Sequence, residues 1–139
     1  MFKLVKIFNS GANVAEPYYL PTDPFQNYKA GSFVGFGDDK VTNICEMDPP
    51  SFLVGETADI GEKKRLLCYP VNESMVFETE AGTGYKDHKI GMRIGLGMQE
   101  GIAYVAGTQS NNGPLCILDT LGASSPTDPI LVTLVIERY

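Results

Sequence analysis

Glu78 and Glu80 stand two residues apart in the stretch MVFETE. A pair of carboxylates is what hydrolysis of a glycosidic bond requires, one as acid and the other as base or nucleophile. In an extended segment side chains alternate, so Met75, Phe77 and Thr79 share one face while Val76, Glu78 and Glu80 share the other. Two residues of strand rise put the Cβ atoms about 6–7 Å apart, within the roughly 5–9.5 Å that such carboxylate pairs use. The same pattern is that of a half-buried antiparallel strand with one wet face. The chain has no tryptophan to stack on a sugar, and Glu80 borders the glycine-rich AGTGY. A solvated strand face is therefore the expectation; no catalytic residue is assigned and the chain is not read as an enzyme.

Other chemistry-bearing residues are sparse. His88 is the single histidine, in the polar stretch YKDHK, without the second His or Cys-x-x-Cys that a zinc site needs. None of the serines sits in a Gly-x-Ser-x-Gly elbow. Gly91, Gly95 and Gly97 lack the following helix and the acid of a dinucleotide fingerprint, and AGTGYK lacks the ending of a P-loop. These glycines read as turns and bulges. Asp38 and Asp39 lack the alternating oxygen ligands of a calcium loop, and no metal or cofactor is expected. Asn72-Glu73-Ser74 matches a glycosylation sequon but follows no secretion signal. Cys45, Cys68 and Cys116 are odd in number and flanked by apolar residues, which reads as three small buried hydrophobes.

Composition narrows the partners. A net charge of −6 argues against nucleic acid, since phosphate binding needs clustered cations. The run Lys63, Lys64 and Arg65 after Glu62 reads as a solvated turn and strand entry. The longest apolar run, ILVTLVI, is far short of the ~20 residues of a membrane helix. With no signal-like opening, the expectation is a soluble protein, intracellular when made.

Periodicity then places these residues on strands. Short runs of β-forming residues recur about every ten positions, separated by Gly-Asp-Asp, Asn-Glu-Ser and similar turns, and no amphipathic helix stands out. About nine to eleven strands are expected, in a mainly β chain forming one β-sandwich or β-barrel-like domain. Residues 1–29 read as an extended N-terminal arm and 30–139 as the β-rich core. In PYYLPTDPFQNY, Pro17, Pro21 and Pro24 force extended geometry, while Tyr18, Tyr19, Leu20, Phe25 and Tyr28 offer apolar surface to a partner. A stiff aromatic arm loses little entropy on docking and could add a strand to a neighbour's sheet.

From Ala30 onward the order of motifs resembles small bacteriophage head proteins of the decoration, or capsid cement, kind. The likeness rests on KAGSFVGFGDDKVTNI, DIGEKKRLLCYPVNESMVFETE, IGMRIGLGMQEGIAYV and the terminal DPILVTLVIERY. It implies a β module on the outer surface of a capsid, bound to the major capsid protein, commonly as a homotrimer over a local three-fold position, tying subunits together. It also implies a virion protein made in the host cytoplasm. Residues 1–29 depart from the shorter starts of such proteins. The competing class is a stand-alone ligand-binding module, for carbohydrate for example, with tyrosines as platforms.

Overall fold

The computed structural model describes residues 1–7, 17–44, 48–99, 102–109 and 113–135. Within them lie eleven strands and one short 3-10 turn at Tyr85–Asp87. The larger sheet has the order β1 (Lys3–Ile7), β7 (Met75–Glu80), β11 (Pro129–Leu134), β10 (Leu115–Asp119), β8 (Arg93–Gln99), β9 (Ile102–Gln109). The smaller has the order β2 (Tyr18–Pro21), β6 (Arg65–Pro70), β5 (Phe52–Val54), β3 (Phe33–Gly37), β4 (Lys40–Thr42). Every strand pair in both is antiparallel. The expected mainly β sandwich is what forms, and neither sheet closes into a barrel.

Strand alternation builds two cores. On β3, Phe33 faces the larger sheet and joins Phe77, Ile94, Leu96, Leu115, Ile117 and Ile130 between the layers. Its neighbour Val34 points the other way, into a second cluster with Tyr28, Val41, Val54, Leu66 and Cys68. The central strands of the smaller sheet thus contribute side chains to a core on each face, which is why stretches such as Phe52–Val54 and Leu66–Cys68 read as apolar runs rather than alternating ones. It curls until its two edges touch at a single parallel bridge, Thr22 to Val41. Aromatic rings tie the layers together: Phe2 to Phe33 at 4.2 Å between centroids, and Phe33 edge-on to Phe77 at 5.0 Å.

The β3–β4 hairpin turns at Asp38 and Asp39, both at positive φ (53° and 61°), between the paired Gly37 and Lys40. Two left-handed residues in a two-residue loop make a type I′ turn, whose twist matches that of the flanking strands. At the β6–β7 connection the Asn72 side chain accepts the Ser74 N–H at 2.9 Å, so this sequon residue shapes a turn.

The arm expected over residues 1–29 is extended, but its described parts are laid onto the chain's own sheets. β1 pairs with β7, β2 pairs with β6, and Phe2 and Tyr28 are each 3 % exposed in the two cores. The described parts of residues 1–29 therefore pair into the same two sheets as the rest of the chain. Pro21 fits because β2 is an edge strand whose far side is touched only by the Thr22–Val41 bridge beyond its end, so its missing donor breaks no ladder. Strand β4 ends at Thr42, and Cys45, read from the sequence as a buried hydrophobe, lies outside the described residues.

Candidate interaction surface

Edge strand β2 and the loop after it carry the aromatic side chains singled out from the sequence. Tyr18 is 54 % exposed, Tyr19 60 % and Phe25 82 %. Pairing with Cys68, Leu67 and Leu66 of β6 sets their directions. Leu20, opposite the buried Leu66, is half-buried against the smaller core and offers a partner little. Tyr19, opposite the half-buried Leu67, stands on the other face.

Tyr28 does not belong to this surface. Its ring fills the smaller core and its hydroxyl donates to the Val41 carbonyl at 2.7 Å while accepting the Asp23 N–H at 2.9 Å. Burial pushes its pKa up, because a phenolate there would lose its hydration. The expectation of a partner contact at Tyr28 is therefore corrected: a tyrosine in a proline-rich stretch reads the same whether its ring points out or in.

The loop that carries Phe25 is held from several sides. The Asp23 side chain accepts the Phe25 N–H at 2.9 Å, and Asn27 Oδ1 accepts the Ile60 N–H at 2.9 Å. Lys40 Nζ stands 3.7 Å from Asp23 Oδ2, and Thr22 N–H donates to the Lys64 carbonyl at 3.0 Å. Beside it, the Lys63 ammonium donates to Glu56 at 2.7 Å, and the Leu67 N–H donates to the same carboxylate at 3.0 Å. Those two hydrogen bonds, the lysine's first, hold the Glu56 carboxyl below the usual range. The exposed aromatics are thus presented on a fixed frame.

Glu78 and Glu80 do share the outer face of β7, beside an open groove of about 340 Å³ that Lys3, Thr127 and Pro129 also line. Burial works against the Glu80 carboxylate. Hydrogen bonds from the Met1 amino group, its own backbone N–H and the Thr79 hydroxyl outweigh it, and its pKa is lowered. A general acid needs the opposite shift. His88 is half-buried; its Nε2 meets the Ala81 carbonyl at 2.8 Å and closes the 82–88 loop on β7. Cys68 is fully buried, and burial, with the Glu56 carboxylate, pushes its thiol up to about 12; Cys116 is half-buried. Among the described residues no three His, Cys, Asp or Glu side chains converge as metal ligands would.

One feature was not foreseen from the sequence. An apolar cleft of about 140 Å³ opens where the sheets part, lined by Leu4, Leu53, Tyr69, Val71, Met75 and Phe77, with no polar surface in its lining. Its signal is the alternation Leu67, Tyr69, Val71 set against Leu66 and Cys68, which makes both faces of β6 apolar. No family model, curated protein or solved structure matches the chain.

Proposed function

We propose that the chain is a virion structural protein, a decoration or cement protein that docks on the outer surface of a bacteriophage capsid and stabilises it through contacts between subunits. The observation that carries this is the pair Tyr18 and Tyr19, more than half exposed on a strand whose backbone is held by its pairing to β6. Rigid aromatic side chains supply contact area at low entropic cost, and aromatic residues are enriched at protein interfaces. The acidic charge balance and the order of sequence motifs favour the same role, with the major capsid protein as partner and a homotrimer as the working assembly.

Deleting residues 1–29 would strip Phe2 and Tyr28 from the cores, so point substitution is the cleaner test. The experiment is uptake of purified protein by undecorated capsids of the phage that encodes it, for the native chain and for Tyr18→Ala with Tyr19→Ala. Stoichiometric uptake by the native chain, reduced at least about 10-fold in affinity by the double substitution, is expected for a docked strand edge that carries one exposed tyrosine on each face. Native protein that ignores capsids, or a double variant that binds as well as the native chain, overturns the proposal.

A further inference from the structure

Two apolar features face solvent at opposite ends of the smaller sheet. Phe25 is 82 % exposed on the loop that packs beside residues 59–62, where the Gly61 position lies near the Pro24 carbonyl and the Ile60 N–H meets Asn27. Strand β6 starts just after that loop at Arg65 and runs to Pro70, where Tyr69 and Val71 form part of the apolar cleft. Six residues of strand separate the two ends, about 17–20 Å at the usual rise. Phe25 therefore cannot reach the cleft of its own chain.

Size and chemistry match. The cleft holds about 140 Å³ with a wholly apolar lining, and an apolar cavity of ~150 Å³ takes one benzene ring. Phe25 is the most exposed of the large hydrophobic side chains among the described residues, and its loop is fixed by the Asp23 side chain and by Tyr28. A backbone held this way loses little freedom when the exposed ring it carries inserts. A knob and a hole at opposite ends of one molecule make a head-to-tail contact, which closes into a ring or grows into a filament.

We infer that Phe25 of one copy inserts into the cleft between Leu4, Leu53, Tyr69, Val71, Met75 and Phe77 of the next, and that this contact closes the protein into a ring. The occupant is a second copy of this chain. This deepens the assembly role proposed above and rests on it, yet it is measured on the isolated protein. A native chain that stays monomeric yet is taken up by capsids removes the ring alone; a native ring that ignores capsids removes the capsid role alone.

Sedimentation over a range of concentrations tests it with three samples: the native chain, Phe25→Ala, and Val71→Trp, which fills the half-buried mouth of the cleft. The native chain is expected to form a closed oligomer. Phe25→Ala, at a position too exposed to matter for folding, is expected to weaken association at least about 30-fold. The Ala variant keeps a working cleft and the Trp variant keeps a working knob, so their mixture is expected to give a 1:1 dimer and nothing larger. A native chain that stays monomeric, or Phe25→Ala that associates like the native chain, overturns the inference. A well-folded pair of variants that forms no mixed dimer also overturns it, and if Val71→Trp fails to fold, the Phe25→Ala result alone decides.

Discussion

At the scale of single residues, Tyr28 shows how one side chain can join two roles that the sequence leaves apart. Its ring is core and its hydroxyl bridges the Val41 carbonyl to the Asp23 N–H. Tyr28→Phe keeps the ring but strands both partners, so a loss of about 1–3 kcal/mol is expected in chemical denaturation. The same hydroxyl sets an alkaline limit. Its folded pKa lies above the unfolded value, so its contribution is fully present below pH ~10 and is lost as pH rises through the folded value. Urea midpoints measured between pH 8 and 11 should fall at the high end for the native chain, and fall less for Tyr28→Phe. Cys68 gives a second check. With its thiol pushed up to about 12 and no exposed surface, it should resist alkylation at pH 8 in the folded protein and react once unfolded. Rapid alkylation of Cys68 in the native state would contradict the packing of the smaller core.

Among the elements, the hairpins were legible because their turns carry their own chemistry. Gly-Asp-Asp announces a two-residue turn, and the strands on either side follow from it. Asp38 and Asp39 both occupy the left-handed region, where a residue with a Cβ is disfavoured and glycine is not. Asp39→Gly should therefore raise stability by about 0.5–1 kcal/mol, read as a higher denaturation midpoint; a lower one would show that the Asp39 side chain has a role of its own. Strand β2 was legible as extended and aromatic but not as part of this fold. Its prolines forbid a helix and a central strand, and they are silent between an edge strand of the same sheet and an arm on a neighbour. Which sheet an edge strand joins depends on contacts with residues such as Leu66 and Cys68, more than forty positions away. The apolar cleft was hidden for the same reason: Leu4, Leu53 and Phe77 come from three separate strands.

For the whole molecule, two cores stacked through one shared sheet explain how a chain of this length presents Tyr18, Tyr19 and Phe25 to solvent while remaining well packed. The glutamate pair that first drew notice is part of the outer face of β7, and Glu80 is held ionised rather than poised as an acid. In the proposals made above, Tyr18 and Tyr19 meet a capsid surface and Phe25 meets another copy of the chain. The central claim is best tested by measuring the mass of the purified protein in solution, alone and after mixing with undecorated capsids. A trimer taken up stoichiometrically, with capsids that withstand more heat, is the predicted result. A strict monomer that leaves capsids unchanged, and instead binds a small carbohydrate saturably, would contradict it.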